Sequence, residues 1–159
     1  MIVVSDTSPV LALAAIGQLD LLRLLFADVL IPEAVEREFA HKNPDFLPLP
    51  SWFRSRWPTD RGLIKSLLAE IDLAEAEAIA LAIELKADLL LIDERLGRAV
   101  AQRKGLQFTG IIGVLLEAKR RGHVPAVRPL LDDLFTKAGF RISMRLRKRT
   151  LDLAGESEP

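Results

Sequence analysis

A chain of 159 residues, 50% hydrophobic and 28% charged, has the make-up of one globular domain that can bury roughly 70% of its unfolded surface. It contains no cysteine, which excludes thiolate catalysis, zinc-finger and iron–sulfur ligation and a disulfide-stapled scaffold. The formal net charge is zero, yet residues 1–94 hold 8 Lys/Arg against 16 Asp/Glu while residues 95–150 hold 14 against 3, a pattern that suggests a polyanion approaching one part of the surface.

Met1 to Ser5 is a β-branched run without period, as a strand covered on both faces would be. It meets a carboxylate at Asp6 and carries no basic leader, so no signal peptide is expected. No later apolar run reaches the roughly 18 residues of a membrane helix, and the chain reads as cytoplasmic. Helical patterns follow over Pro9 to Ile16 and Leu19 to Ala27, then a strand at Val29–Ile31 and a helix over Glu33 to Ala40. Residues 41–62 are a proline-rich excursion (Pro44, Pro48, Pro50, Pro58), with one short helix expected near Ser51 to Trp57. Leu73 to Lys86, Arg95 to Lys104, Gly110 to Arg121 and Ala126 to Ala138 read as helices. Leu89–Ile92 and Gln107–Thr109 read as strands, with Phe140–Ile142 a weaker fifth. Alternating strands and helices predict an α/β fold: a three-layer α/β/α domain over 1–153 on a mostly parallel sheet of four to five strands. The tail 154–159 is expected to fray.

In such sheets, sites form at the strand C-terminal ends, so acids there are the informative ones. Asp6 directly follows the first strand. Ser8, with Pro9 at the first helical position, supplies the helix cap and leaves Asp6 over. Asp93 follows Leu89–Ile92, where capping of the next helix is an equal alternative; Glu94 reads as a first-turn acid. Glu38 falls between Ala34 and Val35 on the buried stripe of its helix, where a carboxylate must be paired, protonated or bound to a cation. Glu75 and Glu77 sit about 200° apart on a helix that is apolar nearly all round. Only one can face a given site, and the capping-box spacing from Asp72 competes for Glu75. Acids gathered without His or Cys suit hard cations such as Mg²⁺ or Mn²⁺. His41 and His123 read as surface residues. Two basic clusters, Lys119–Arg121 and Arg141–Arg149, are equally consistent with phosphate contact and with solvated helix faces. Trp52, Phe53 and Trp57, interleaved with Arg54 and Arg56, read first as packing residues, with base stacking as the alternative.

In this order, Val4-Ser5-Asp6-Thr7-Ser8, Pro32 to Phe39, Glu75 to Ala82, Leu89 to Asp93 and Phe108 to Leu115 resemble the PIN-domain family of metal-dependent ribonucleases, over roughly residues 1–140. Within it the chain is similar to the VapC-type toxins of prokaryotic toxin–antitoxin pairs. The resemblance implies RNA hydrolysis at Mg²⁺ or Mn²⁺ held by Asp6, Asp93, Glu38 and Glu75, with Glu75 favoured over Glu77. Substrate binding would fall to Ser8, Arg95 and Arg98, although the stretch Glu94-Arg95-Leu96-Gly97-Arg98 departs from the family's usual pattern. The partners implied are RNA, a cognate antitoxin and a second copy of the chain, with no membrane. A non-catalytic RNA- or partner-binding module on the same fold is the alternative. A phosphate receiver or phosphatase ranks last, because Asp6-Thr7-Ser8 is not Asp-x-Asp and no acidic pair precedes an acceptor. No Gly-x-Gly-x-x-Gly follows the first strand, which argues against a dinucleotide enzyme.

Overall fold

Val3–Ser5 (β1) is buried at all three positions and pairs in parallel with a strand on each side: Val29–Ile31 (β2) and Leu89–Leu91 (β4). The computed structural model describes residues 1–157. Phe53–Ser55 (β3) adds to the free edge of β2, and Phe108–Thr109 (β5) to that of β4. The result is a five-stranded parallel sheet in the order β3-β2-β1-β4-β5. The chain thus leaves β1 toward one edge, and later strands fill the other side. The C-terminal ends of β1 and β4 flank the crevice where the strand order reverses.

Nine α-helices among the described residues cover the sheet: Thr7–Ala15 (α1), Asp20–Phe26 (α2), Glu33–Lys42 (α3), Arg61–Leu67 (α4), Leu73–Glu84 (α5), Arg95–Arg103 (α6), Ile111–Arg120 (α7), Arg128–Ala138 (α8) and Met144–Leu153 (α9). Val3, Val29, Ile31 and Leu91 point to one core, shared with α1, α2, α7, α8 and the buried stripe of α3. Val4, Leu90 and Ile92 point to the other, shared with α4, α5 and α6. Strand side chains alternate faces, so one short apolar strand feeds both cores and the fold has three layers. Each fully buried Leu or Ile contributes about 1.5–3 kcal/mol to this arrangement. Among the described residues no helix is long and apolar enough to cross a membrane.

Several local expectations are corrected. Ser51 to Trp57 is not a helix: its middle is β3, with Phe53 buried and Arg54 and Ser55 exposed. The open edge of β2 offers backbone hydrogen bonds that draw the segment out as a strand. Phe53 stacks on Trp52 with ring centroids 4.2 Å apart, whereas Trp57 stays exposed. Phe140–Ile142 is not a strand; it links α8 to α9, the turn made by Gly139 in the left-handed region. Helices α4 and α9 were not anticipated.

The first helix begins at Thr7, so Asp6 stands at the N-cap position and Ser8 lies inside the first turn rather than capping it. Of the segment expected to fray, residues up to Ser157 are described, and Glu156 is tied down. Its carboxylate accepts from the amides of Val127 and Arg128, at 2.7 and 3.1 Å, and pairs with Lys119 at 2.9 Å. Glu158 and Pro159 lie outside the described residues.

Candidate metal centre at the carboxyl edge of the sheet

Asp6 is 2% exposed, and its Oδ1 has no hydrogen-bond partner among the described residues. The backbone explains the placement: the Asp6 amide donates to the Leu91 carbonyl at 2.9 Å, extending the β1–β4 ladder by one step before α1 turns away. Its carboxyl is pushed up to about 8, first by burial. The nearby Thr7 amide pulls the other way, and the negative charges of Glu75, Asp72 and Glu38 add to the rise.

A cleft of about 480 Å³ opens above Asp6, lined among others by Ser8, Glu38, Glu75, Glu94 and Arg95. Three acids singled out in the sequence, Asp6, Glu38 and Glu75, therefore line one cleft. Glu38 reaches it from α3, two-thirds buried, with Lys42 at 3.2 Å on the same helix. Glu75 reaches it from the first turn of α5. It forms the capping box read from its spacing and also lines the cleft. Its Oε2 accepts from the Asp72 amide while Asp72 accepts from the Glu75 amide, a complete capping box. Its Oε1 lies against Gly97, where a Cβ would stand 3.2 Å away. Burial raises the Glu75 carboxyl above its ordinary value; the Asp72 amide opposes this, and the charges of Asp72 and Glu94 reinforce it.

Glu77 faces elsewhere. Its Oε1 accepts from the Ala34 amide at 3.0 Å, satisfying a free donor at the start of α3, and Arg61 stands 3.7 Å from its Oε2. It joins α5 to α3, which explains a buried acid that is not in the cleft.

Asp93 and Glu94, side by side past β4, have different partners. The Asp93 side chain turns toward α7, where Oδ1 accepts from the Ile111 amide at 2.9 Å. Oδ2 is buried without a partner among the described residues. Asp93 thus caps α7 rather than α6, and a Cβ on Gly110 would overlap its Oδ1. Burial lifts its carboxyl to about 6, against the Ile111 amide and the Arg98 charge. Arg98, 5.2 Å above the Phe108 ring, is held beside this acid rather than in the cleft. Glu94, read from sequence as a first-turn acid, instead lines the cleft, where its Oε1 accepts from the Ser8 hydroxyl at 3.3 Å. The sequence signal for Glu94 was its place, like Asp93, just past a buried strand.

The donor set is all carboxylate, and its deepest member offers an unpartnered oxygen. That chemistry fits a hard divalent cation, which would compensate acids that cannot all stay ionised together. Among the described residues no three acids or histidines stand close enough to hold one ion between them.

Most side chains of the basic clusters carry an ion pair, several of them exposed pairs along one helix and therefore weak. Lys119 pairs with Glu156, Arg120 and Arg121 both pair with Glu117, Arg147 with Asp132 and Lys148 with Asp152. Arg141, Arg145 and Arg149 remain exposed.

A comparison with curated proteins returned no match. A family model described as PIN domain matches residues 2–156, nearly the whole chain, and agrees with the parallel sheet and the acidic cleft at its carboxyl edge. The chain belongs to the PIN-domain family, a nuclease-type fold.

Proposed function

We propose that this PIN domain is a Mg²⁺- or Mn²⁺-dependent ribonuclease and acts as the toxin of a VapBC-type toxin–antitoxin pair, a cytoplasmic homodimer restrained by its antitoxin. The observation that carries the nuclease reading is the buried, unpartnered Oδ1 of Asp6 at the floor of a cleft shared with Glu38, Glu75 and Glu94. The metal ion, when bound, supplies a bound water of lowered pKa and neutralises charge developing on the phosphate. Asp6 would hold the ion from the cleft floor, and Glu75, fixed by its capping box, and Glu38, on the facing helix, would complete its carboxylate surroundings. Glu94 lines the cleft on the β4 side, and Asp93, whose Oδ2 is also buried without a partner among the described residues, stands with Asp6 as a proposed metal ligand while its Oδ1 fixes the start of α7. Lys42 and Arg95 line the same cleft and offer contacts to phosphate oxygens.

The test is cleavage of a pool of structured and single-stranded RNAs in Mg²⁺ and Mn²⁺, with EDTA as control. Asp6→Asn and Glu94→Gln are expected to abolish cutting, while Asp93→Asn lowers both stability and activity. Full activity in Asp6→Asn would refute the assignment. One observation favours the alternative of a non-catalytic RNA- or partner-binding module: the lack, among the described residues, of a preassembled three-acid cage. That reading predicts RNA binding without cleavage and a melting temperature indifferent to divalent cations.

A further inference from the structure

We infer that a second cavity beside the acidic cleft is a subsite for one unpaired base of a single-stranded RNA, next to the phosphate bound over Asp6. The inference rests on the nuclease reading for that neighbouring phosphate. The cavity, about 330 Å³, lies along α1, between it and the C-terminal ends of α3 and α8, and is lined by Ser8, Leu11, Ala15, Asn43, Lys137 and Phe140, among others. It shares two walls with the cleft. Ser8 lines both spaces, and the end of α3 contributes Lys42 to the cleft and Asn43 to the cavity.

The two spaces differ in the way successive parts of a nucleotide chain differ. The cleft is acidic and suits a phosphate bridged by a cation. The cavity has an apolar floor of Leu11, Ala15 and Phe140, against which the face of a base can pack. Asn43 adds an amide with both donor and acceptor, and it makes no side-chain hydrogen bond among the described residues, so it is available to a base edge. Lys137 stands at the rim. Its contact with Asp133, 3.5 Å on an exposed helix face, is weak enough to be exchanged for a phosphate oxygen. At the small end of ligand-pocket volumes, the cavity holds one base rather than a pair. A base can enter only when splayed out of a stack, which selects single-stranded segments or loops.

The experiment uses a single-stranded RNA pentamer with 2-aminopurine at its centre, titrated with the full chain in Ca²⁺ and read by base fluorescence and anisotropy. The same pentamer is then assayed for cleavage in Mg²⁺. Ala15→Leu fills the cavity from the exposed end of α1 without touching the acids, and thermal melting checks that it folds. Wild type is expected to brighten the base as it leaves the stack. Ala15→Leu should lose the brightening and weaken binding about tenfold. Asn43→Ala should alter the preference among the four natural bases at the central position. Equal brightening and affinity in Ala15→Leu would overturn the subsite. Cleavage by wild type without any brightening would overturn the subsite alone and leave the nuclease standing. A brightening lost in Ala15→Leu, with no cleavage in Mg²⁺, would support the subsite and sink the nuclease. Neither binding nor cleavage would overturn both.

Discussion

Replacing Asp6 with Asn should make the metal-free protein more stable at neutral pH, although it removes the proposed metal anchor. The Asp6 carboxyl is displaced from 3.8 to about 8 by burial at 2% exposure. Below pH 3.8 it is protonated in both the folded and unfolded chain and has no effect on folding. Between 3.8 and about 8 the unfolded chain sheds the proton while the folded chain holds it, so stability falls as pH rises; above about 8 the loss is complete. At about 1.36 kcal/mol per pH unit the whole span corresponds to roughly 5–6 kcal/mol. Polarisation of the surroundings and the cost of burying the new amide reduce the expected gain at pH 7 to about 2–4 kcal/mol. For a domain of this size that is a rise in melting temperature of about 5–15 °C. The assay is thermal unfolding of wild type and Asp6→Asn in EDTA from pH 4 to 9, repeated with Mg²⁺. The two curves should converge near pH 4 and separate progressively toward pH 8. Mg²⁺ should raise the wild-type melting temperature, most at high pH where the carboxylate is free to bind it, and leave Asp6→Asn unchanged. A difference independent of pH, or an equal response of both proteins to Mg²⁺, would refute the reasoning.

The two acids of α5 should separate cleanly. Glu77→Ala leaves the Ala34 amide unpaired and should cost about 1–3 kcal/mol in urea unfolding while preserving the Mg²⁺ response, whereas Glu75→Gln should blunt that response. Gly110→Ala forces a methyl group onto Asp93 Oδ1 and should destabilise by about 1–3 kcal/mol, with faster amide exchange at Ile111. Glu156→Ala removes the acceptor for two amides and for Lys119; a loss of about 2–4 kcal/mol is expected, with hydrogen exchange rising first at the start of α8. Wild-type stability in Glu156→Ala would mean that the tail is not anchored as described.

The alternation of strands and helices, the parallel three-layer fold and the position of Asp6 were determined by the sequence itself. They follow from runs and periods within a few residues: Val3–Ser5 is buried on both faces and so cannot alternate, and Glu38 breaks an otherwise apolar stripe. The choice between neighbouring acids was not written there. Glu77 is a structural acid because Ala34, 43 residues earlier, needs an acceptor. Asp93 gives one carboxylate oxygen to the Ile111 amide, 18 residues later, and Glu94 lines the cleft beside Ser8, 86 residues before it. The same holds for β3, where Phe53–Ser55 extends because the edge of β2 stands open beside it. A carboxylate or an exposed edge takes the partner that packing brings within 3 Å, and local pattern carries no record of that distance; only the tertiary structure decides it.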